Sequence, residues 1–254
     1  MRSKRTLPVV SLLRRGFLAP LINFRSIFKA CYPAFFLLVL ATILEESSSS
    51  VMNNSRVEVG MMVLSVALYS FAMASVVGCH RIFILGPHSI EGRRIVWFGS
   101  SIWRYFGWSL GIGILVSLTV IPGALLLGPE LFEETTSVRS MLAGAVVFLP
   151  AAYVGARLSL LLPAAAIDYM PELQIEWGWD LSKTSEWQLF FLVGLIPLAT
   201  DTILDSLFTS DYIVVDIFVR IVWVYVAIAE LAILSFSFDF ITQQEVGENE
   251  GNAN

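Results

Sequence analysis

Cysteine and histidine are scarce in this chain, with two of each among 254 residues. Cys31 and Cys79 each lie beside or within an apolar run, so neither a disulfide framework nor a cysteine-based metal site has enough ligands, and buried free thiols are expected. His80 and His88 stand on either side of Pro87 with no cysteine or carboxylate beside them, which is poor metal-ligand spacing. In this reading they flank a basic loop, which excludes an intramembrane metalloprotease, whose histidines must lie inside its spans. No serine in a nucleophile elbow has a membrane histidine as partner, and no glycine-rich phosphate loop is present. Glu133 and Glu134 followed by Arg139 have the wrong spacing for a protease motif. No catalytic residue, metal or cofactor is therefore expected, and the chain is not read as an enzyme.

Charge is also sparse. Charged residues make up 15% of the chain and hydrophobic ones 56%, with a mean hydropathy of +0.74. Soluble domains carry about 25% charged residues, so lipid is the expected solvent. The net charge of −5 comes from basic and acidic residues segregated along the chain, so no basic patch exists to hold nucleic acid. The opening MRSKRTLPVVSLLRRGF breaks its apolar runs with Arg14 and Arg15 and shows no small-residue cleavage site, so it is read as retained and not as a signal peptide.

What the chain has in quantity is long apolar runs. Residues 59–79 and 105–129 contain no charged side chain, and each is long enough to cross the roughly 30 Å of hydrocarbon in a bilayer. The full reading is all-α: a polytopic bundle of about six spans at 29–45, 59–80, 105–127, 140–160, 187–208 and 212–241. Residues 1–28 form a cytoplasmic amphipathic segment, 29–241 the membrane domain and 242–254 a disordered acidic tail. Pro163 should bend or end the fourth helix, with the run after Arg157 lying along the surface. Seven Lys and Arg precede the first span, one lies in the first loop and four lie in the second. That alternation places the N-terminus in the cytoplasm, and an even number of spans returns the C-terminus there.

Charges inside spans are costly unless paired or hydrated, which makes them candidate sites. Asp201 and Asp205, and likewise Asp216 and Arg220, share a helix face at i,i+4. At ~1.5 Å per residue, Asp201 and Arg220 have similar depths, which predicts an ion pair between the fifth and sixth spans. Arg157 and Glu230 also agree in depth, predicting a second pair near the inner face. These six residues either hold helices 4 to 6 together or line a polar path, and Pro197 would open the fifth helix near Asp201. Arg14, Arg15, Arg93 and Arg94 are candidate contacts to anionic lipid, set among Ile95, Trp97 and other apolar neighbours. The small-residue spacings Gly107 and Gly111, and Ser70, Ala74 and Gly78, favour close helix packing within the chain or in a homo-oligomer.

The chain also hints at an internal repeat. Arg81 and Arg157 each precede a proline by six residues (Pro87, Pro163), and each run leads to a tryptophan that opens the next span (Trp103, Trp187). Arg14 to Pro20 has the same spacing.

The runs Cys79-His80-Arg81-Ile82-Phe83-Ile84-Leu85-Gly86, ARLSLLLPAAAID from Ala156, Trp179-Asp180-Leu181-Ser182-Lys183 and Trp187-Gln188-Leu189-Phe190 resemble a known pattern. Over about residues 15 to 240 the chain is similar to uncharacterised six-helix bacterial inner-membrane proteins related to the membrane domain of some glycerophosphodiester phosphodiesterases. Family members often carry an acidic residue after the His-Arg run, where this sequence has Pro87. The resemblance implies a six-span bacterial inner-membrane protein and no catalysis, because the phosphodiesterase chemistry belongs to a separate soluble domain; it offers no site residues to carry over. The expected function is a non-enzymatic, lipid-contacting or envelope accessory component; the alternative is a small transporter or channel lined by the charges of helices 4 to 6. Expected partners are membrane lipids, with a homo-oligomer or another membrane protein left open.

Overall fold

The computed structural model of the chain describes residues 6–48, 55–90, 99–127, 138–169, 174–207 and 213–252. Among these, 93% are helical and none forms a strand. The helices are α1 (Val9–Ile22), α2 (Phe24–Ser48), α3 (Ser55–Leu85), α4 (Ser100–Leu127), α5 (Val138–Leu158), α6 (Leu161–Ala166), α7 (Ile175–Ser182), α8 (Glu186–Leu189), α9 (Ile196–Leu207) and α10 (Ile213–Asn252), with a π-helical turn, Phe190–Leu195, joining α8 to α9.

Among the described residues, six stretches are long and apolar enough to cross a membrane: Phe24–Ala41, Val59–Leu85, Ser100–Leu125, Gly144–Ala166, Ile175–Leu204 and Phe218–Gln244. Their outward faces are apolar. On α4, Leu110, Ile114, Leu118, Ile121 and Leu125 are exposed at spacings of three and four that form one stripe along the helix. Such a stripe is unfavourable in water and ordinary against acyl chains, and the protein is a multi-pass helical membrane protein.

The spans contribute unequally to the core. In the apolar windows of α2 and α4 only 6% of residues are buried, against 44% in those of α5–α6 and α10. The last helix and the α5–α6 unit therefore form the centre, and α2 and α4 the lipid-facing rim. The buried residues gather toward one end: Val77 to Phe83 of α3, Ile102 and Tyr105 of α4, Ala156 to Ala166, Leu181 and Leu189, and Ala229 to Phe238 of α10.

Three expectations are corrected. The run after Arg157 does not lie on the surface. Pro163 has no N–H to give to the Ser159 carbonyl, and that oxygen instead accepts from Leu162 N at 3.0 Å. The helix breaks at Ser159–Leu160 and restarts as α6, in which Leu161, Ala164, Ala165 and Ala166 are wholly buried. Small alanines let this short helix sit inside the bundle.

The second correction concerns the boundary at residue 28: the first apolar span begins at Phe24. Arg14 and Arg15 are exposed as expected, but α1 packs on α10 along a face of Leu12, Gly16, Ala19 and Pro20. Tyr225 O–H donates to Phe17 O at 2.6 Å, and the Arg15 guanidinium lies 4.8 Å from the Phe236 ring centre. A Cβ on Gly16 would collide with the Ile233 side chain and come within 3.3 Å of Ala229 O. Gly16→Val should therefore lift α1 from α10 and cost about 1–3 kcal/mol. The change should appear as a lower thermal midpoint in detergent and faster proteolysis within residues 6–23. An unchanged midpoint would show that α1 is not docked in this way.

Third, the acidic tail is not disordered throughout: α10 continues to Asn252. Thr242 Oγ1 donates to Phe238 O at 2.9 Å and Gln243 Nε2 to Asp239 Oδ1 at 2.8 Å. Glu and Gln favour helix once an anchored span has supplied the nucleus.

Candidate functional site

Among the described residues, the end of the bundle where packing is densest also holds buried polar side chains, among them two arginine-centred clusters and a histidine between helices.

The first cluster is built on Arg157, in the last turn of α5 and 4% exposed. Its Nε donates to Ser182 Oγ at 2.9 Å, Nη2 to Trp179 O at 2.6 Å and Nη1 to Tyr153 OH at 3.3 Å. Nη1 also pairs with Glu186 Oε2 at 3.2 Å. The guanidinium carbon stands 3.9 Å from the centre of the Trp179 ring. Tyr153 O–H donates to the same Glu186 oxygen at 2.9 Å. One planar cation thus joins α5 to α7 and to the first residue of α8, in the forked, stacked geometry that guanidinium allows and ammonium does not.

The second cluster is built on Arg81 near the end of α3. Helix α6 closes with paired bonds from Tyr169 N to Ala164 O (3.0 Å) and Asp168 N to Ala165 O (3.4 Å). Asp168 takes a positive φ of 57°, the left-handed cap that Asp tolerates better than most residues. The Ala166 carbonyl then accepts from Arg81 Nε at 2.7 Å. Arg81 Nη2 lies 2.6 Å from Asp168 Oδ2 and 3.3 Å from Ser101 Oγ, and Arg104 Nη1 is 3.3 Å from the other Asp168 oxygen. Helix α3 itself ends at Gly86, φ 87°, whose N–H bonds Ile82 O at 3.1 Å.

His80, placed beside a loop by the sequence, lies within the second span and is wholly buried. Its Nδ1 is 2.8 Å from Ser235 Oγ on α10, and its Nε2 is 3.4 Å from Tyr105 OH on α4. Ser235 gives its only proton to Leu231 O at 2.7 Å, which makes Nδ1 the donor and Nε2 the acceptor in the trio. The trio ties α3, α4 and α10 together. With His80 and Ser235 both at 0% exposure, it offers a substrate no access.

Of the charges singled out in the sequence, Arg157 is brought into a cluster, but its acid is Glu186 and not Glu230. Depth counting compares the expected spans only, and Glu186, the first residue of α8, stands one residue ahead of the expected fifth span, 187–208, while α7 packs on α5. Glu230 and Arg220 are half-buried on α10. The side chains of Asp201, Asp205 and Asp216, and all of Arg93 and Arg94, lie outside the described residues, so the Asp201–Arg220 pair lies there too. The π-helical turn ends two residues before Pro197: the proline lacks the N–H owed to Val193 O, and the helix widens where that bond is missing.

The two arginines of the expected repeat each reach a serine: Arg81 reaches Ser101 Oγ, two residues ahead of Trp103, and Arg157 reaches Ser182 Oγ, five ahead of Trp187. Trp103 and Trp187 are 67% and 65% exposed, as suits interface anchors. Each stands edge-on to the aromatic three residues later, Phe106 and Phe190, at centroid distances of 6.3 and 6.1 Å. Gly78 packs tightly, since a Cβ there would be 3.2 Å from Ala30 Cβ, whereas Gly107 and Gly111 have nothing within 4 Å of theirs.

The fold and these clusters define a polytopic α-helical membrane protein braced by buried arginines. Comparison with family models, curated proteins and solved structures finds no match to this chain.

Proposed function

We propose that the protein is a non-enzymatic, lipid-contacting accessory component of a bacterial inner membrane, with both termini in the cytoplasm. The observation that carries this reading is the use made of Arg157: its donors go to Ser182, Trp179, Tyr153 and Glu186 of its own chain, the arrangement of a brace and not of a charge awaiting a ligand. The sequence resemblance to six-helix inner-membrane proteins supports the compartment, and the excess of Lys and Arg before the first span and in the second loop supports the orientation. On that orientation the densely packed polar end faces the cytoplasm, with the exposed Arg14 and Arg15 of α1 available to anionic headgroups. A transport path is the second reading, favoured by the π-helical turn above Glu186, because such turns often mark functional positions.

The test uses full-length protein in liposomes containing phosphatidylglycerol. Proton and potassium leak should equal that of protein-free liposomes, and native mass spectrometry should find anionic phospholipid retained, with less of it on an Arg14→Ala, Arg15→Ala variant. A leak well above background that Glu186→Gln abolishes would replace this reading with the transport one. In right-side-out spheroplasts a C-terminal tag should resist external protease; cleavage would reverse the orientation.

A further inference from the structure

The two cysteines, 48 residues apart, are brought together. Cys31 Sγ on α2 and Cys79 Sγ on α3 lie 3.5 Å apart and both are free thiols. The approach is set by the backbones. Ser75 Oγ of α3 lies 3.0 Å from Ala30 O across the spans and 2.8 Å from Phe71 O in its own helix, and a Cβ on Gly78 would sit 3.2 Å from Ala30 Cβ. Small residues at this crossing let the helices come close just where the thiols stand. Cys31 lies seven residues into α2 and Cys79 six residues before the end of α3, so both are about 10 Å from the same end of the bundle.

The thiols are not sealed in the core. They line one wall of an open apolar groove of about 320 Å³ between α2, α3 and α10, whose other walls include Leu38, Leu68, Ala72 and Ile228. Cys79 is 1% exposed, whereas Cys31 is half-buried. A groove with such walls at this depth admits a lipid-soluble ring and rejects a charged or peptidic reagent.

We propose that Cys31 and Cys79 are a redox-active dithiol, oxidised to a disulfide across α2 and α3 by a lipid-soluble quinone entering this groove. Two S–H bonds break and one S–S bond forms, the sulfurs closing from 3.5 Å to about 2.05 Å. The two protons and two electrons pass to the quinone oxygens, giving the quinol. The product joins the rim span α2 covalently to α3.

The test takes reduced full-length protein in liposomes, adds a short-chain ubiquinone, quenches with acid and alkylates the remaining thiols with a maleimide before intact mass measurement. Both labels should be lost together, with one quinol formed per chain. Cys31→Ala and Cys79→Ala, which change little volume, should each reduce quinol formation at least tenfold. Retention of both labels overturns the proposal, as does a single variant that still forms quinol at the original rate. Oxidised glutathione should leave the thiols intact; oxidation by it as fast as by the quinone overturns the groove as the route.

Discussion

Arg157→Ala is expected to be among the most destabilising single changes in the chain, lowering stability by about 3 kcal/mol. Removing one partner of a buried ion pair costs roughly 3–5 kcal/mol, and Glu186, 31% exposed, recovers part of that by hydration. The substitution also takes donors from Trp179 O and Ser182 Oγ, and Ser182 is wholly buried. Arg157→Lys should recover less than half of the loss, because an ammonium can neither span the three elements nor stack on Trp179. The measurement is the unfolding midpoint of purified protein in mixed micelles, with the monodisperse fraction as a second readout. Charge exchange identifies the partner: Arg157→Glu combined with Glu186→Arg should restore more stability than Arg157→Glu combined with Glu230→Arg. Rescue by residue 230 instead would show that Glu186 is not the acid that matters.

The spans were legible in the sequence because crossing a bilayer demands about 20 apolar residues whatever the fold, and residues 59–79 and 105–129 meet that demand by composition alone. Their ends were less legible. The first span begins at Phe24 and not near Lys29, because Arg25 and Lys29 both point outward and long basic side chains can reach the headgroups from within a span. The break near Pro163 was readable from the missing N–H, but not the burial of α6. A run such as Leu-Leu-Pro-Ala-Ala-Ala is equally compatible with a surface and a core, and only the packing of α3, α4 and α10 around it decides. His80 was misread because Arg81 follows it, and an adjacent charge reads as the end of a span. Here that charge is turned toward the cap of α6 while the imidazole turns toward Ser235. Cys31 and Cys79 show the same limit, since no spacing rule connects residues on different spans. What could have signalled their meeting is the small-residue ridge ending at Gly78, which marks where α3 lets another helix come close.

Arg81→Met should lower stability by about 2–3 kcal/mol, and the contrast with its acidic partner shows what the arginine is for. Asp168 is 40% exposed and is also held by Arg104 at 3.3 Å, so the Arg81–Asp168 ion pair is the solvated kind, contributing up to about 1 kcal/mol. The larger loss lies at Ala166 O, a carbonyl at the end of a helix buried at every residue but Leu162, which receives Arg81 Nε at 2.7 Å. Leaving a buried acceptor without that donor costs roughly 1–3 kcal/mol. Asp168→Asn, which also tolerates the left-handed cap and keeps an acceptor oxygen, should therefore cost under about 1 kcal/mol. Asp168→Val should cost more than Asp168→Asn, because a β-branched side chain resists a φ of 57°. Denaturation midpoints of the three variants, measured in the same micelles, check the order Arg81→Met, then Asp168→Val, then Asp168→Asn. If Asp168→Asn proved as damaging as Arg81→Met, the ion pair and not the helix cap would be the feature that matters at this end of the bundle.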